Sequence, residues 1–310
     1  MAPPENKNLI ALFERLLPAE TAHTPTPGVT LFRVAESFQR TPISYQPEII
    51  ILLQGEKYVY LGDELYQYNA SKYLVVPVPL PAECEGRIEP GAAILGLAIA
   101  IDAIELGEIV LNMGSAAAEP PPTILPRGIF EAQMTAPMHD AITRLLQSLA
   151  QPDDADARVL APMIKREILY RALRGENGEI LRALAGRNRR FFQIAKVLRQ
   201  FHESYNQAFD MEALARDLDM SSSTFHSSFK SVTNTSPLQY IKQVRLHKAR
   251  TLMLQNGLNA NVAAMEVGYE SASQFSREYK RFFGVPPATD VAGVVGSGEA
   301  GLAEREAVGS

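Results

Sequence analysis

The sequence predicts an α+β protein of two domains, a β-rich N-terminal one and an all-helical C-terminal one. Apolar residues alternate with period two from Phe32 to Ile101, as in β-strands, and recur at helical spacing from Met138 onward. The most informative pattern lies near the C-terminus. A short helix, a polar turn and a second helix with aromatic anchors occur there twice, at Met211–Lys230 and Asn261–Gly284. Tandem helix-turn-helix units are typical of DNA reading, because the second helix of each can enter a major groove.

The composition of the 310-residue chain allows two separate cores and favours a reducing compartment. A single cysteine excludes an internal disulfide. No run of roughly 18 apolar residues is present, so we expect no membrane contact and a cytoplasmic protein that joins the nucleoid when bound to DNA. The net charge of −5 is unevenly spread: residues 187–290 hold 14 Lys and Arg against 9 Asp and Glu, whereas residues 1–186 hold 15 against 23. This asymmetry is modest, but it suits separate DNA and sensor domains.

We divide the chain at residues 30, 186 and 290. Residues 1–30 are expected to form a helix and an arm, because charges inside the apolar opening stretch favour an amphipathic helix over a signal peptide. Residues 31–186 form the sensor domain and residues 187–290 the DNA-binding domain, with the polar run Ala185–Arg190 at the boundary. Residues 291–310 are rich in Gly, Ala and Glu without periodicity, which predicts a disordered tail.

The β-rich segment is expected to form a sandwich or a small barrel. Lys57–Leu61 and Glu64–Tyr68 flank Gly62-Asp63, a hairpin-like turn. Prolines and glycines separate this hairpin from further β-rich runs at Ile49–Leu53, Tyr73–Val78 and Ala93–Ile101. Many short strands at roughly even spacing are typical of such folds.

Behind the strands, Gly114–Gly128 reads as a linker or long loop, and helices follow at Ala161–Leu173 and Glu179–Leu184. Before these two, an earlier helix carries Met138, Ile142, Leu145, Leu146 and Leu149 on one face. That face packs either on the β-domain or on its copy in a second chain, as a homodimer interface.

The first helix-turn-helix unit follows a helix at Phe191–Tyr205, of which Phe192 is expected to face inward. Asp210 is a natural N-cap for the first short helix, and Ser221 or Ser222 caps the second. Phe225 and Phe229 are the expected inward anchors of that second helix.

A long helix is expected between the two units. Ser236-Pro237 supplies an N-cap and a first-turn proline, and Gly257 closes the helix after about Leu254. A helix of roughly 18 residues spans about 27 Å, so it could hold two recognition helices about one DNA turn apart, ~34 Å.

The second unit repeats the design. Val262 is expected to face inward, Gly268 suits a positive φ angle in the turn, and Ser271 caps the next helix. Phe275 and Tyr279 are expected to be inward anchors of that helix, together with Phe282.

Positions between these anchors point outward and are the predicted DNA contacts. They are Ser223, His226, Ser227, Lys230, Ala272, Ser273, Ser276, Arg277, Lys280 and Arg281. Arg277 is the best base-reading candidate, since a guanidinium can bind guanine O6 and N7 bidentately. Lys230, Lys280 and Arg281 are assigned to phosphates, which position a protein without specifying sequence.

The residues of the C-terminal half resemble the AraC/XylS family of transcription regulators. The segments LARDLDMSSSTFHSSFKSVTNTSPLQYIKQVRLHKARTLML and VGYESASQFSREYKRFFGVPP carry the resemblance, over nearly all of Arg190–Pro287. It implies units that read two adjacent major grooves of double-stranded DNA, at a promoter or operator. It also implies RNA polymerase as a partner and frequent dimerisation through the other domain.

The N-terminal half resembles the first domain of one branch of that family, a small cupin-like β-barrel with helices behind it. The segments PEIIILLQGEKYVYLGDELYQYNASKYLVVPVPLPAECEG and APMIKREILYRALRG carry this resemblance, over roughly Ser37–Leu184. It implies binding of a small-molecule effector, dimerisation or both, without catalysis.

The chemistry of the barrel segment agrees with a non-enzymatic role. A metal-dependent cupin needs several histidines, and none of the five in the chain lies in Phe32–Ile101, so we expect no metal and no cofactor. Six tyrosines could line an effector pocket, or half could face the core and half the solvent. They are Tyr45, Tyr58, Tyr60, Tyr66, Tyr68 and Tyr73.

Cys84 is read as a loop residue between strands. It is either a sensor thiol or an incidental cysteine. The flanking glutamates favour an incidental cysteine, because nearby negative charge raises the pKa of a thiol and lowers its reactivity. Two rival functions stay open at this stage. One is a cupin enzyme fused to a helical module, which the missing ligands oppose. The other is an architectural DNA-binding protein without an effector.

Overall fold

The computed structural model describes residues 4–17, 21–114, 125–151 and 154–296. In this part of the chain the predicted α+β architecture is confirmed, with an antiparallel sheet domain followed by a helical domain. The strands are β1 (Ala22–Thr26), β2 (Val29–Val34), β3 (Phe38–Tyr45), β4 (Glu48–Gln54), β5 (Glu56–Leu61), β6 (Glu64–Asn69), β7 (Lys72–Val76), β8 (Leu80–Arg87), β9 (Ile94–Ala100) and β10 (Phe130–Gln133). The helices of the first domain are α1 (Pro4–Leu16), α2 (Ala103–Asn112), α3 (Ala136–Leu149), α4 (Asp154–Arg174) and α5 (Gly178–Arg182).

The strands pair in the order β1-β2-β9-β4-β7-β6-β5-β8-β3, with β10 added beside β7. Every pair is antiparallel, and the ends of the order do not pair with each other, so the sheet is an open half-barrel. Period two divides its side chains between two cores. In β4, for example, Ile49 and Ile51 pack towards the helices, whereas Ile50 and Leu52 face the barrel interior.

The second domain is helical. After the turn at Ala183–Arg187 the chain forms α6 (Arg189–Glu203), α7 (Met211–Asp217), α8 (Ser222–Thr233), α9 (Pro237–Asn256), α10 (Ala260–Glu266), α11 (Ala272–Phe283) and α12 (Pro287–Gly296). Its two halves have different cores. Phe225 and Phe229 of α8 belong to the same apolar cluster as the helices of the first domain, whereas Phe275 and Tyr279 of α11 belong to a separate one.

Some expectations for the first domain are wrong. The sheet begins at Ala22, inside the segment assigned to an arm, and the predicted helix in that segment is α1. Two elements of this domain, α2 and β10, are not among those expected from the sequence. For the apolar face of α3, by contrast, the first of the two expected alternatives holds: the face is buried inside the protomer. Its members are Met138, Ile142, Leu145, Leu146 and Leu149. Residues 115–124 of the predicted linker lie outside the described residues.

Three expectations for the second domain are also wrong. Phe192 and Val262 were assigned inward, but both are exposed, because Phe191 and Ala263 beside them occupy the inward positions. The tail does not begin at Val291, since α12 continues through Gly296. Residues 297–310, the rest of the predicted tail, lie outside the described residues.

No helix among the described residues has both the length and the apolar character needed to cross a bilayer.

Candidate DNA-binding surface

The first helix-turn-helix unit is built from α7, a tight turn and α8. Asp210 caps α7 by accepting from the backbone N–H groups of Glu212 and Ala213, as predicted. The turn is closed by the N–H of Met220, which donates to the carbonyl oxygen of Ala215 at 2.9 Å. Asp219 precedes Met220 with a φ angle of 56°, a left-handed conformation that Asp tolerates better than most residues.

The second unit repeats this turn with different residues. The N–H of Tyr269 donates to the carbonyl oxygen of Ala264, also at 2.9 Å. Gly268 takes the left-handed position with a φ angle of 85°, as predicted. A Cβ atom at Gly268 would also lie only 2.5 Å from the carbonyl oxygen of Asn206. Glycine is therefore required there both by conformation and by the close approach of the loop after α6.

The recognition helices α8 and α11 have matching caps and anchors. Ser221 and Ser271 accept from the N–H groups of Thr224 and Gln274, which settles the first cap in favour of Ser221 over Ser222. The anchors Phe225, Phe229, Phe275 and Tyr279 are fully buried, whereas Phe282 is half-buried. Seven of the ten predicted DNA contacts are exposed: Ser223, Ser227, Lys230, Ser273, Arg277, Lys280 and Arg281. His226, Ala272 and Ser276 are half-buried.

Helix α9 joins the two units as predicted. Ser236 caps it, Pro237 is its first residue, and Gly257 ends it with a φ angle of 65°. Its 20 residues span about 30 Å at 1.5 Å per residue. This length is close to the ~34 Å that separates adjacent major grooves on one face of DNA.

Arg245 of α9 holds the turn of the second unit, a role that the sequence does not reveal. Its guanidinium donates to the carbonyl oxygens of Tyr205 at 2.7 Å, Gln207 at 2.8 Å and Gly268 at 3.1 Å. Burial lowers the pKa of Arg245 below its usual value. Three carbonyl acceptors compensate for this partial burial, so the turn, the loop after α6 and the long helix form one rigid unit.

Glu278 connects α11 to its surroundings. Its carboxylate accepts from Lys242 at 3.0 Å, from the hydroxyl of Tyr269 at 2.9 Å and from Gln274 at 3.1 Å. Burial alone would raise the pKa of Glu278, but these three hydrogen bonds outweigh it and the pKa lies below its usual value. The second recognition helix is therefore fixed to α9 by a charged network.

Helix α12 is attached to the second unit by a buried ion pair. Arg250 donates to both carboxylate oxygens of Asp290, at 2.8 and 3.1 Å, and both side chains are less than one-tenth exposed. The hydroxyl of Tyr279 donates to the same carboxylate at 2.5 Å. These contacts explain why the chain stays ordered beyond the predicted end of the DNA-binding domain.

Arg127 links the sheet domain to the end of the first recognition helix. Its guanidinium donates to the carbonyl oxygens of Ser231 at 2.6 Å and Lys230 at 3.0 Å. It also pairs with Glu64 of β6 at 2.6 Å, and the hydrogen bonds from Arg127 hold the pKa of Glu64 below its usual value. A cation at the last turn of a helix interacts favourably with the helix dipole.

Two further hydrogen bonds support the same junction. The N–H of Gly128 donates to the carbonyl oxygen of Val232 at 2.9 Å. The side-chain amide of Asn234, the left-handed residue that ends α8, donates to the carbonyl oxygen of Leu61 at 2.7 Å. The first unit is thus joined to the sheet domain by backbone and side-chain bonds as well as by a shared apolar core.

A second junction lies at the start of α9. The hydroxyl of Tyr240 donates to the carbonyl oxygen of Pro79 at 2.7 Å, so the Nε2 of His202, 2.9 Å away, must donate to Tyr240. His202 therefore carries a proton on Nε2. Burial, with smaller contributions from Lys248 and His247, lowers the pKa of His202 to about 3.

Among the described residues, the interior of the half-barrel is lined by apolar and aromatic side chains together with the amine of Lys57. Lys57 of β5 is fully buried, with its Nζ 5.0 Å from the ring centroid of Phe32 and 5.7 Å from that of Phe38. Tyr45 and Tyr68 belong to the same interior cluster. Of the other tyrosines proposed as pocket residues, Tyr73 faces the helix-side core, and Tyr58, Tyr60 and Tyr66 are half-buried.

The assignment of Cys84 to a loop is wrong. It lies in β8, between Thr41 and Val59 of the neighbouring strands, and its side chain is buried in the interior cluster. The strand was missed because Pro81 and Gly86 near its ends suggest a loop. No groups of three or more His, Cys, Asp or Glu side chains gather as a potential metal site in the described part of the chain.

Comparison with known sequences identifies relatives of both halves. A model of the AraC-type transcriptional regulator N-terminus matches residues 25–180, and a helix-turn-helix domain model matches residues 214–291. The transcriptional regulator AlkR of Acinetobacter baylyi is 34% identical over 95 residues, which cover 31% of each chain. The virulence regulon activator VirF of Yersinia enterocolitica is 34% identical over 86 residues, 28% of this chain and 32% of VirF. Each match thus covers about a third of the relative's length.

Comparison with solved structures extends the likeness to both domains. ToxT of Vibrio cholerae, solved with an unsaturated fatty acid bound, superimposes with a TM-score of 0.58 over 88% of this chain and 95% of ToxT, at 10% identity. ToxT therefore shares the fold, a half-barrel followed by a helical domain. Because the N-terminal family model alone spans half of the residues, this chain belongs to the AraC-type transcriptional regulators.

Proposed function

We propose that the chain binds specific sequences of double-stranded DNA and regulates transcription from a promoter or operator. The observation that carries this proposal is the repeated turn, closed by Met220 in one unit and Tyr269 in the other, in two units that the 20-residue helix α9 connects. Two recognition helices on a spacer of about 30 Å suit adjacent major grooves.

Arg277 reads base edges in this proposal, and Lys230, Lys280 and Arg281 contact phosphates. Arg277 is exposed, and it lies nearer than Lys280 to the N-terminal end of α11, the part that meets bases in helix-turn-helix proteins. The remaining contacts are assigned to Ser223, His226, Ser227, Ala272, Ser273 and Ser276.

The experiment that tests this proposal is a binding titration of the full chain against a library of random duplexes, followed by sequencing of the bound fraction. A specific regulator enriches a motif with two parts about one helical turn apart. Its affinity falls steeply with salt, because the basic side chains release counterions from the phosphates. Absence of an enriched motif would contradict the proposal.

We further propose that the half-barrel binds a small-molecule effector of the long-chain carboxylate class. The support is a fully buried ammonium, that of Lys57, in an interior lined by aromatic and aliphatic side chains. Such an interior can take an acyl chain, and a cation can pair with its carboxylate. The ToxT fold, solved with an unsaturated fatty acid, adds support at the level of the fold.

Calorimetric titration with oleate tests the effector proposal. Wild-type protein binds oleate, and Lys57→Met, which keeps the length of the side chain and removes its charge, weakens binding at least about tenfold. Oleyl alcohol serves as the ligand control, because it lacks the carboxylate. Equal affinity of wild type and Lys57→Met for oleate would contradict the assignment.

The remaining parts of the proposal concern partners and organisation. RNA polymerase and a second copy of the chain are the proposed protein partners, and the proposed site of action is the nucleoid. Residues 31–186 are assigned to sensing and residues 187–290 to DNA binding. The barrel acts by binding and not by catalysis, without metal or cofactor; protein purified without chelator should carry no stoichiometric transition metal.

A further inference from the structure

A cavity of about 300 Å³ lies where the sheet domain meets α6, and none of the residues assigned to DNA or to the effector lines it. Its walls come from the loops that follow β3 and β7, from the start of α2 and from α6. This volume is at the small end of the range for ligand sites in proteins. The cavity therefore suits a molecule of about the size of an amino acid.

The walls of the cavity are largely apolar, and hydrogen bonds hold them in place. Three proline rings line it, those of Pro47, Pro77 and Pro79. The carbonyl oxygen of Pro47 accepts from the N–H of Ile101 at 2.8 Å, and that of Pro79 accepts from the hydroxyl of Tyr240 at 2.7 Å. Because proline also has a fixed φ angle, the cavity is formed before any ligand enters it.

The cavity is separate from the barrel interior that contains Lys57. Four further lining residues, Val78, Ile101, Leu184 and Ala195, all belong to the helix-side core. The aromatic rings around Lys57 belong to the other cluster, on the opposite face of the sheet. A ligand in this cavity would therefore be distinct from the effector proposed for the half-barrel.

Two side chains of opposite charge line the same cavity and come from different domains. Asp102 precedes α2, and its Oδ1 caps that helix by accepting from the N–H groups of Ile104 and Glu105 at 2.8 and 2.9 Å. Its Oδ2 accepts no hydrogen bond from the residues that the structure describes. Arg199 of α6 is exposed and forms neither an ion pair nor a hydrogen bond within that same part of the chain. Both charges are therefore available to a ligand.

We propose that this cavity binds an α-amino acid with an apolar side chain. The ammonium group would pair with Asp102. The carboxylate would pair with Arg199, whose planar guanidinium can bind a carboxylate through two parallel hydrogen bonds. The apolar side chain would lie against the proline rings and cover Ile104, which lines the cavity and is 76% exposed.

The pair of charges favours a zwitterion over a simple acid or amine. A carboxylate without an ammonium group would lie beside Asp102, and an amine without a carboxylate would lie beside Arg199. Each would leave one protein charge unmatched next to a like charge, which opposes binding. Because the two charges belong to different domains, the bound amino acid would also hold α6 against the loops of the sheet domain.

Calorimetric titration of the full chain with L-phenylalanine and with L-leucine tests the proposal. At least one of them should bind wild type with a Kd of about 1 mM or tighter. The analogues that carry one charge should bind at least about tenfold more weakly than the parent amino acid. They are 3-phenylpropionate and phenethylamine for phenylalanine, and 4-methylpentanoate and isopentylamine for leucine. Absence of binding by both amino acids, or equal affinity for the analogues, would overturn the proposal.

Substitution of the two charged residues tests the assignment of the site. Arg199→Gln and Asp102→Ser should each weaken amino-acid binding at least about tenfold, and serine still caps α2. Arg190→Gln is the matched control, because Arg190 is an exposed arginine of the same helix about two and a half turns away, on the opposite side. This variant should bind as wild type does. Unchanged affinity in either Arg199→Gln or Asp102→Ser would overturn the assignment.

Hydrogen exchange locates the bound amino acid. A saturating concentration should slow exchange at residues 101–106 and 195–199, the two sides of the cavity. Protection confined to the strands around Lys57 would place the ligand in the half-barrel and overturn the proposal. None of these measurements involves DNA or oleate, so their outcome is independent of the function proposed above.

Discussion

Arg127 donates to the carbonyl oxygen of Ser231 at 2.6 Å, which places a side chain of the sheet domain on the last turn of the first recognition helix. The same guanidinium pairs with Glu64 on the hairpin of the half-barrel. A shift of that hairpin would therefore displace Arg127 and disturb its hydrogen bonds to the last turn of α8. The second unit packs in a separate apolar core. The position of α8 therefore depends more directly on the sheet domain than that of α11 does.

Arg127→Ala should loosen the first unit without unfolding it. Because the ion pair is about one-third exposed, we expect a loss of about 1 kcal/mol in the free energy of unfolding. Faster hydrogen exchange should appear at residues 230–234, with no change in α11. Arg40→Ala, which breaks the outer-face pair with Glu83, is the control and should leave exchange at 230–234 as in wild type. Unchanged exchange in Arg127→Ala would mean that the contact does not restrain α8.

Truncation of the aromatic anchors should distinguish the two cores. Phe225→Ala and Phe275→Ala each remove a fully buried ring and should cost about 3–5 kcal/mol. Phe225 shares a core with the sheet domain, so its truncation should lower the melting temperature of the whole chain. Phe275 lies in the separate core, so its truncation should expose α10 and α11 to hydrogen exchange while the sheet domain stays protected. A melting temperature unchanged by either substitution would refute the inward assignment.

The ion pair between Arg250 and Asp290 should stabilise the second unit. Asp290→Ala leaves a buried guanidinium without its partner carboxylate, which costs about 3–5 kcal/mol in urea denaturation. Asp290→Asn keeps an acceptor and should cost less. Arg189→Ala is the matched control, since it breaks an exposed pair with Asp219, and it should change stability by no more than about 0.5 kcal/mol. A loss in Asp290→Ala no larger than that of the control would show that this ion pair does not stabilise the second unit.

Acid should destabilise the junction at His202. The pKa of this ring is about 3 in the folded chain, below the value of about 6.5 for an unfolded histidine. The unfolded chain therefore binds more protons between these values, so stability is complete above pH ~6.5 and falls as the pH drops towards 3. For one titrating group, the free energy of unfolding can fall by at most about 1.4 kcal/mol per pH unit. The loss at His202 should be smaller, because its side chain is only half-buried and water screens part of the effect.

Urea denaturation at pH 7 and pH 5 measures this effect. His202→Asn keeps an N–H donor for Tyr240 but does not titrate, so the variant should lose less stability than wild type between the two pH values. Equal losses in the two proteins would contradict the assignment of a depressed pKa to His202. Tyr240→Phe, which removes the bond to Pro79, is expected to weaken the same junction at both pH values.

Local patterns in the sequence predict much of the helical domain. Asp210, Ser221, Ser236 and Ser271 cap helices as expected, because capping depends on neighbouring residues only. The inward anchors follow from helical spacing. Phe192 is misassigned because Phe191 is equally apolar, and only packing against the rest of the fold decides between adjacent phenylalanines.

Contacts between distant parts of the chain could not be predicted. Arg127 bonds to Ser231, and Arg250 bonds to Asp290, only because the fold brings distant helices and loops together. The spacing of apolar residues along the chain carries no information on such contacts. Helix α12 looks like a tail because its Gly and Ala residues have weak periodicity, and the buried carboxylate of Asp290 anchors it. Cys84 is also misassigned because its local sequence resembles a loop. Its segment is a strand because it pairs with β3 and β5, which are distant in sequence.

The central claim, that the two units read a specific DNA sequence, is tested most directly at Arg277 and Lys280. The measurement is the binding of wild type, Arg277→Ala and Lys280→Ala to a randomised duplex library. Arg277→Ala should cost about 1–3 kcal/mol on the preferred site and relax the preference at one or two base pairs. Lys280→Ala should weaken all sequences alike and reduce the salt slope by about 1. Absence of any preferred site in wild type would contradict the central claim. Equal losses on preferred and random DNA for Arg277→Ala would contradict the assignment of Arg277 to base reading.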